Sequence, residues 1–564
     1  MAHNFMEKID YSKWFLEFKK SDEYDMFAKN PVAYFCAEYA LDPSLPTYAG
    51  GLGTLSGDYI RETAMREFPL ISVGLFYKKA QNVLSLKTDG NKNKLKIVTD
   101  KNNQEIIVSL PIEDRIVNAK ARQWEEGKAK VYLLDTDIPE NDPRDRKITE
   151  RLYDENRDNR LKQEIILGIG GFRLLARLGY RPSVYHLNEG HSAFLALEIV
   201  RHEMEYQRVD FEDACQYAKK HVLFTNHTLV AAGQEQFWAE RVGFFLGQYA
   251  KEMGLEGKDI TKLGAKDNDP VLFLMTMLSF RLSMKSNAVS MLHAQKAREI
   301  WPNQIIENVT NGIFVEKWDK MGDVSSKNIW GQHLKNKRML LTLVKEKTGE
   351  IWNETDLIFA WARRLVEYKQ PLLFLDDIDK FLEISKNSPV PIRIIFSGPT
   401  GKNENPFARK IKEIIEEKLK GTVVFLPNYN IDLAKVLTAG ADIWLNTPIV
   451  GSEACGTSGM KAGLNGVLSL STNDGWVHEV DSSDIGWVVN ESQNGEEIRS
   501  LVEKDIIPAY ASHLKNPKNS LWAEKMAKAR NFILENFSTS RALKEYIEKL
   551  YIPIHKQRHA RNIE

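Results

Sequence analysis

The sequence predicts an α/β protein made of two doubly wound domains, and two observations lead to this fold class. Short apolar runs alternate with longer amphipathic stretches along both halves of the chain, a rhythm typical of parallel strands flanked by helices. The chain also has 564 residues, which is too long for one ordinary core and favours two large domains.

Ten segments dense in Val, Ile, Leu, Phe or Tyr are predicted to be strands. Helical patterns separate them, and each half of the chain contributes five. They begin at Val32, Leu70, Ala129, Ser183 and His221 in the first half, and at Leu357, Ile392, Thr422, Asp442 and Val467 in the second half.

A mixed, polar segment between Asn311 and Glu354 marks the predicted domain boundary. We place the N-terminal domain over residues 1–318 and the C-terminal domain over residues 319–564. The end of the chain, from Leu521 to Tyr551, has a helical pattern, and we expect its last helix to pack back on the N-terminal domain. Ligands of such sheets bind beyond the carboxyl ends of strands, so we expect an active site in a cleft that the two domains face.

Composition restricts the partners and the compartment. Lys plus Arg equals Asp plus Glu at 77 each, so no net charge draws the chain toward nucleic acid or an anionic membrane. The three cysteines are scattered without CxxC spacing, which argues against a disulfide framework and a zinc site and fits a reducing cytoplasm. No apolar run approaches the roughly 18 residues that a membrane span requires. We expect a soluble cytoplasmic protein that binds a small or neutral partner and no metal.

The most informative motif is GSEACGTSGMKAGLNG, which begins at Gly451. Its residues Gly456–Gly459 predict a small turn before a helix, and the backbone N–H groups of such a turn converge on an anion. Lys461 would lie in the first helical turn beside that anion. A lysine beside a phosphate cradle suits pyridoxal phosphate, because the amine binds the aldehyde while the turn holds the phosphate. From spacing alone, a glycine-rich helix start with a surface lysine is the commoner explanation.

A second motif, WARRLVEYKQP, directly follows a predicted strand. Arg363, Arg364 and Lys369 place three positive charges near the carboxyl end of that strand, where they can grip a phosphate. Taken alone, the run also fits a basic helix start paired with Glu367.

Four further segments are ambiguous by themselves. AGGLG from Ala49 fits a plain loop, and HLNEGHSAF from His186 fits a buried hydrogen-bonded cluster. TNHTLV from Thr225 contains one unremarkable histidine, and TNG from Thr310 fits a turn with Asn-Gly at its corner.

Taken together and in this order, the segments resemble the glycogen and α-glucan phosphorylases. The stretch from Glu453 closely matches the family's cofactor-lysine motif, in which Glu-Ala-Ser/Cys-Gly-Thr leads to Met-Lys and then to Asn-Gly. The matches run from residue 32 to residue 479, and the chain length resembles the shorter bacterial and archaeal branch. The resemblance implies two Rossmann-like domains in the GT-B glycosyltransferase architecture and retaining phosphorolysis of α-1,4-glucans. The implied cofactor is pyridoxal 5'-phosphate, the substrates are α-glucan and inorganic phosphate, and family habit suggests a homodimer.

The resemblance also implies a role for each motif residue. The catalytic set is Lys461, Arg364, Lys369 and His227, with Lys461 as the pyridoxal-phosphate lysine. The implied cofactor-binding residues besides Lys461 are Thr457, Ser458, Gly51, Arg363 and Trp318. The implied substrate-binding residues are Gly50, Asn311, Tyr368, Glu453, Cys455, Gly456 and His191, and Glu189 is assigned to the wall of the site.

Three departures from the family pattern are visible. Arg363 stands where many animal and plant members have lysine, and Cys455 replaces the commoner serine. Asn430 stands where the longer enzymes carry an arginine near the cofactor phosphate.

Two other functions compete with phosphorolysis. One is a glycosyltransferase of the same fold that uses a nucleotide sugar. The related glycogen synthases have a second glutamate eight residues after the first, whereas this chain has Lys461 there. The other is a catalytically silent glucan-binding relative, and the intact Lys461, Arg364 and Lys369 argue against it.

Overall fold

The computed structural model describes residues 10–80, 95–229, 234–266, 269–325, 328–399, 405–489, 494–517 and 520–559. The α/β class is confirmed, because parallel sheets alternate with many helices along the chain. The chain divides into two compact units. The N-terminal unit contains Ser12–Val289, Ala294–Val309 and the chain from Ala542 onward, and the C-terminal unit contains Ser290–His293 and Thr310–Arg541.

These bounds differ from the predicted boundary at residue 318, since the segment that follows Val309 belongs to the C-terminal unit. Backbone hydrogen bonds explain the difference. The N–H of Ile313 donates to the carbonyl of Phe537 at 2.9 Å, and the N–H of Thr539 donates to the carbonyl of Ile313 at 2.9 Å. A Cβ on Gly312 would lie 2.4 Å from the Ser538 carbonyl oxygen, so this segment is tightly packed against the helical end of its own unit.

The N-terminal unit contains a ten-stranded mixed sheet and a three-stranded antiparallel sheet. The strands are β1 (Val32–Phe35), β2 (Leu70–Leu75), β3 (Lys96–Ile97), β4 (Ile107–Ile112), β5 (Arg115–Glu126), β6 (Ala129–Asp135), β7 (Val184–Asn188), β8 (Val222–Thr225), β9 (Gln236–Trp238), β10 (Ala265–Lys266), β11 (Asp269–Leu274), β12 (Lys285–Ala288) and β13 (Ile306–Asn308). The large sheet has the order β13-β12-β8-β7-β1-β2-β6-β5-β3, with β4 also paired to β5, and the small sheet has the order β10-β11-β9. Strands β13 to β6 in this order are parallel, whereas β5 runs antiparallel to β3, β4 and β6.

The C-terminal unit contains one six-stranded sheet in which every pairing is parallel. Its strands are β14 (Leu357–Ala362), β15 (Ile392–Gly398), β16 (Val423–Pro427), β17 (Ile443–Asn446), β18 (Leu468–Thr472) and β19 (Gly486–Val489). The order is β16-β15-β14-β17-β18-β19. Strands β15 and β16 are added on one side of β14 and strands β17 to β19 on the other, so the strand order reverses between β14 and β17. In open parallel sheets such a reversal leaves a crevice at the carboxyl ends of the two strands, where ligands bind.

All ten strands predicted from the sequence are confirmed. The prediction missed the antiparallel strands β4 and β5. In β5, half of the residues are polar and partly exposed, so the strand has no continuous apolar run. It also missed short strands such as β9 and β10, which have three and two residues.

Helices connect the strands. The α-helices are α1 (Trp14–Phe18), α2 (Asp22–Lys29), α3 (Gly51–Arg66), α4 (Arg157–Ile165), α5 (Gly171–Arg177), α6 (Phe194–Gln207), α7 (Phe211–Lys219), α8 (Ala239–Phe245), α9 (Gly247–Glu252), α10 (Gly257–Gly264), α11 (Met275–Arg281), α12 (Met291–Ile300), α13 (Val315–Trp318), α14 (Ile329–Thr348), α15 (Ile378–Asn387), α16 (Pro406–Ile414), α17 (Ile431–Gly440), α18 (Thr457–Leu464), α19 (Ser482–Ile485), α20 (Gly495–Leu501), α21 (Ile507–Lys515), α22 (Leu521–Asn536), α23 (Thr539–Glu545) and α24 (Ile552–His559). Short 3-10 helices span Asp145–Lys147, Gly190–Ser192, Glu367–Lys369, Leu373–Leu375 and Gly475–Glu479, and π-helical turns span Ile166–Gly170, Ile415–Leu419, Val502–Ile506 and Tyr546–Tyr551.

The end of the chain is helical, as its pattern predicts, and its last segment contributes to the N-terminal unit. The Tyr551 hydroxyl lies 2.8 Å from Nδ1 of His186 and 2.9 Å from the Tyr59 hydroxyl. None of the helices in the described ranges has the length and apolar character of a membrane span.

Candidate active site

The two motifs of the C-terminal unit meet at the carboxyl edge of its sheet. Arg363 directly follows β14, and the loop that leads to Glu453 follows β17. Because β14 and β17 are parallel neighbours, their carboxyl ends lie side by side. Arg363 Nη1 donates to Glu453 at 3.2 Å across 90 residues of sequence. Lys369 Nζ donates to both oxygens of the same carboxylate, at 3.0 and 2.7 Å.

Glu453 is therefore the shared partner of two buried cations. Burial by itself would raise the pKa of the Glu453 carboxyl, but Lys369 and then Arg363 outweigh it and hold the pKa below its ordinary value. Burial lowers the pKa of Lys369 to about 8, and Arg363 and Arg364 add to that shift while Glu453 opposes it. Two cations facing one carboxylate leave an excess of positive charge that can accept an anion.

Arg363 also joins the cation pair to the start of α18. Its Nη2 donates to Ser458 Oγ at 3.0 Å, and the Trp444 indole N–H lies 3.3 Å from the same oxygen. Arg363 is 7% exposed, yet its Nε–H has no hydrogen-bond partner within the described ranges of the chain. A buried guanidinium N–H without an acceptor is costly, and an anion bound here would satisfy it.

Lys461 lies on the face of Trp318. Its Nζ is 4.1 Å from the centre of the indole ring, and the two residues are 8% and 1% exposed. Asn465 holds them together, because its Nδ2 donates to the carbonyls of Trp318 at 3.0 Å and of Lys461 at 2.9 Å. The structure thus brings the predicted cofactor lysine and the predicted ring neighbour into direct contact.

The glycine-rich turn is shorter than expected. Gly456 precedes α18 with a φ of +82°, and the helix already begins at Thr457. Thr457 and Ser458 therefore form the first helical turn, and Lys461 lies one turn further on. A Cβ on Gly456 would lie 3.2 Å from Glu453 Cγ, so this position needs glycine for its left-handed backbone and for space.

Sequence reasoning missed Asp474, which follows β18. Its Oδ1 accepts the N–H groups of Gly451 at 3.0 Å and Gly475 at 2.8 Å, and its Oδ2 accepts the N–H of Glu453 at 2.9 Å. Burial raises the pKa of Asp474 to about 6, although these three N–H groups oppose the shift. The signal in the sequence was an aspartate before a glycine, two residues beyond the end of the predicted strand β18.

The other predicted residues of this unit are more dispersed. Arg364 is exposed and Tyr368 and Thr457 are half-buried. Lys369 Nζ lies 5.2 Å from the centre of the Tyr368 ring, and burial raises the pKa of Tyr368 to about 12. The exposed side chain of Asn430 accepts the Leu433 N–H at 2.9 Å and caps α17.

Asn311 and Cys455 are neighbours in the C-terminal unit. They are 8% and 4% exposed. Burial raises the pKa of the Cys455 thiol well above its ordinary value, while a hydrogen bond from the Asn311 backbone acts in the opposite direction. Asn311 is fixed through its carbonyl, which accepts from Arg541 Nη2 at 3.1 Å. Cys455 is thus a neutral, buried thiol.

In the N-terminal unit, the predicted residue His227 belongs to a buried polar cluster. Its Nε2 lies 2.7 Å from Oδ1 of Asn188, and its backbone N–H donates to Oε2 of Glu189 at 2.9 Å. Glu189 has a φ of +83°, which is rare for a residue other than glycine and is common at functional sites. Burial lowers the pKa of His227 to about 3 and raises that of Glu189, so the His227 ring is neutral at physiological pH.

His191 is held by a different contact. Its Nε2 accepts the backbone N–H of Ala37 at 2.9 Å, which places the proton of the neutral ring on Nδ1. Burial lowers the pKa of His191 to about 3, with a further contribution from His227. The side chain lines a cavity of about 30 Å³ together with Tyr153 and Glu164.

Gly50 and Gly51 open the long helix α3, whose N-cap is Gly50. Among the residues that the structure describes, a Cβ at either position would meet nothing within 4 Å, so none of those residues requires glycine there. The carboxylate of Glu38, which sequence reasoning missed, accepts the N–H groups of Ala49 at 2.7 Å and Gly50 at 3.2 Å. Its signal was an acidic residue just beyond the carboxyl end of β1.

The chain is similar in sequence to known phosphorylases. A family model described as carbohydrate phosphorylase matches residues 322–487, which include Arg363, Lys369, Glu453 and Lys461. The chain is 34% identical to the maltodextrin phosphorylase of Thermococcus litoralis, over 93% of this chain and 70% of that protein. It is 30% identical to the glycogen phosphorylase of Aquifex aeolicus, over 98% of this chain and 90% of that protein. It is also 30% identical to the glycogen phosphorylase of Mycobacterium tuberculosis, over 93% of this chain and 71% of that protein.

Proposed function

Since the chain belongs to the carbohydrate phosphorylase family, we propose that it is an α-glucan phosphorylase. In this reaction inorganic phosphate cleaves α-1,4-linked glucose chains with retention of configuration and releases α-D-glucose 1-phosphate. The observation that carries the proposal is the buried cation pair of Arg363 and Lys369 beside Ser458, at the same sheet edge as Lys461. Such a site is built for anions, and the reaction requires phosphate.

The residues at this edge fit pyridoxal 5'-phosphate as cofactor. The Nε–H of Arg363 is buried without an acceptor, Ser458 and the N-terminus of α18 supply further donors, and the amine of Lys461 lies on an indole face. By this proposal Lys461 binds the aldehyde, Thr457, Ser458, Gly51 and Arg363 hold the phosphate, and Trp318 lies beside the ring. When bound, the cofactor supplies a phosphate group that exchanges a proton with the substrate phosphate.

The cations of this chain make the phosphate chemistry feasible. By Coulomb's law, the negative charges of two phosphate groups in contact at low dielectric repel each other by on the order of several kcal/mol. We propose that Lys369 and Arg364 neutralise the substrate phosphate, while Arg363 is already oriented by Glu453 and Ser458. The substrate phosphate then donates a proton to the departing glucan oxygen and attacks the same face of the oxocarbenium-like sugar.

Sugar-binding roles fall to residues that are neutral or already hydrogen-bonded. Burial keeps the His227 ring uncharged, so we propose that it contributes a hydrogen bond to the glucosyl unit and no ionic charge. Glu453, Cys455 and Gly456 are assigned to the sugar hydroxyls. Gly50, Asn311, Tyr368 and His191 complete the proposed substrate set.

The finer features of the protein are part of the same proposal. We propose that the two units are Rossmann-like domains of the GT-B architecture, since the C-terminal sheet has the strand order of doubly wound folds. The free cysteines Cys36, Cys215 and Cys455 are compatible with a reducing cytoplasm. We also propose a homodimer, because the resemblance to the family implies one. The molar mass of the purified protein, measured by light scattering, tests this proposal.

The decisive experiment is an absorbance spectrum of the purified protein before and after borohydride reduction, followed by identification of the modified peptide. We expect near-ultraviolet absorbance from the cofactor, its covalent attachment at Lys461, and glucose 1-phosphate from maltodextrin plus phosphate. Lys461→Ala should lose both absorbance and phosphorolysis, whereas Lys386→Ala, an exposed lysine of the same unit, should keep both. Full activity of Lys461→Ala without bound pyridoxal would refute the proposal, as would a pocket that binds a nucleotide sugar instead.

A further inference from the structure

The loop from Gly451 to Cys455 is fixed from the side of the sheet by the residues that follow β18. Asp474 accepts the N–H groups of Gly451 and Glu453. The N–H of Trp476 donates to the carbonyl of Cys455 at 3.0 Å. Both ends of the loop are thus held by one short segment, Asp474–Trp476, which the proposed function leaves without a role.

We infer that Asp474 is a positioning residue for the proposed reaction, because its carboxylate sets the backbone from which Glu453 reaches the sugar and the two cations. This inference rests on the proposed function. The three donors to the Asp474 carboxylate are all backbone amides, whereas Lys369 and Arg363 donate to Glu453. It acts through Glu453 and is not itself a catalytic residue.

The chemistry of the contact requires a carboxylate. Oδ1 accepts from Gly451 and Gly475 while Oδ2 accepts from Glu453, so both oxygens must be acceptors. Asp474 is 1% exposed, and its neighbour Glu453 is a second carboxylate whose charge raises the pKa of Asp474 further. Burying one anion beside another is unfavourable, so the carboxylate is kept at this position against an electrostatic cost because both of its oxygens are needed as acceptors.

The neighbouring glycine gives this segment its geometry. Gly475 has a φ of +58°, and a Cβ there would lie 2.3 Å from the carbonyl oxygen of Cys455. The segment therefore approaches the loop as closely as backbone permits. The clamp on Glu453 is the hydrogen bond from its backbone N–H to the Asp474 carboxylate, and the close approach of Gly475 to the Cys455 carbonyl keeps that carboxylate in place.

Asp474→Asn tests the inference with an almost isosteric change. The amide oxygen can still accept from Gly451 and Gly475, but the amide NH₂ then faces the N–H of Glu453, donor against donor. Glu453 then loses one charge-assisted hydrogen bond to its backbone N–H. We therefore expect the KM for glucose 1-phosphate to rise about tenfold, while kcat changes less than about threefold. Hydrogen exchange in the peptide that spans Gly451–Cys455 should accelerate, and the cofactor absorbance should persist.

A double-mutant cycle with Glu453→Gln separates positioning from general destabilisation. If Asp474 acts through Glu453, its substitution should change KM by less than about twofold in the Glu453→Gln background. Asp481→Asn is the matched control, because Asp481 also accepts a backbone N–H, from Ser483 at 2.8 Å, but is exposed and outside the site. It should leave KM and exchange unchanged.

Two results would overturn the role of Asp474. One is an unchanged KM in Asp474→Asn, whether or not hydrogen exchange becomes faster, and the other is the same KM effect with and without the Glu453 carboxylate. If Asp474→Asn does not fold, the wild-type enzyme still decides, because an unprotected Glu453 amide in residue-level hydrogen exchange contradicts the clamp. Absence of glucose 1-phosphate formation by the wild-type enzyme refutes the proposed function itself, whereas an active wild type with any of these results refutes only the positioning role.

Discussion

The pKa of Lys369 gives the sharpest prediction about phosphate binding. Burial lowers this pKa to about 8, so the ammonium that would bind phosphate loses its proton just above neutral pH. With a pKa of about 8, about nine-tenths of the enzyme carries the charge at pH 7 and about one-tenth at pH 9. If phosphate binds only the charged form, the KM for phosphate should rise about tenfold between pH 7 and pH 9.

The assay is the initial rate of glucose 1-phosphate formation at saturating maltodextrin, with phosphate varied at pH 7, 8 and 9. Lys369→Arg is the control, because a guanidinium keeps its charge throughout this range. Its KM is expected to differ from that of the wild type at pH 7, since the two side chains bind phosphate differently, but to lack the tenfold rise that deprotonation of Lys369 causes in the wild type. The titration of phosphate itself affects both proteins equally.

A further variant, Glu453→Gln, tests whether the Glu453 carboxylate raises the pKa of Lys369. The Glu453 carboxylate raises the pKa of Lys369 against the effect of burial. Glu453→Gln should therefore move the rise in KM to lower pH. A wild-type KM that is constant from pH 7 to pH 9, or an equal rise in Lys369→Arg, would show that Lys369 does not carry the phosphate-binding charge.

Three other perturbations follow from the structure. Arg364→Ala should raise the KM for phosphate about tenfold through the loss of a charged contact and leave the thermal midpoint unchanged, because Arg364 is exposed; an unaltered KM removes it from the site. Gly475→Ala should destabilise the fold by about 1–3 kcal/mol through its positive φ and the close Cys455 carbonyl. In denaturant unfolding it is compared with Gly331→Ala, which lies in helix α14 with nothing within 4 Å of the new Cβ and should be neutral or stabilising. Lys337→Met should cost about 3–5 kcal/mol, because it leaves the fully buried Asp442 carboxylate without the ammonium 2.6 Å away; an unfolding midpoint equal to that of the wild type would contradict this.

Much of the fold was accessible from the sequence because strand signals are local. The ten apolar runs are strands because a buried parallel strand must be apolar on both faces, and β14 is buried at every position. The missed strand β5 has the opposite character. Except for Ile116, its exposed and half-buried positions carry polar residues, so its run of apolar residues is interrupted.

The site was accessible in part, through motif order and the identity of Lys461. No local pattern revealed that Arg363 and Lys369 share one carboxylate, since Glu453 lies 90 and 84 residues away along the chain. Asp474 and Glu38 were missed for the same reason, because an acidic residue after a strand is common and only its amide partners give it a role.

The sequence by itself determined the α/β class and the positions of ten strands, and it suggested candidate residues for an anion site, because hydrophobic runs and side-chain chemistry are properties of short segments. Only the tertiary structure decided which charges meet, that the segment after Val309 joins the C-terminal unit, and that the chain beyond Ala542 joins the N-terminal one. The physical reason is that parallel strands from distant parts of the chain end at one edge of a sheet. The pKa values, hydrogen bonds and close backbone contacts of the site arise only where those ends are brought together.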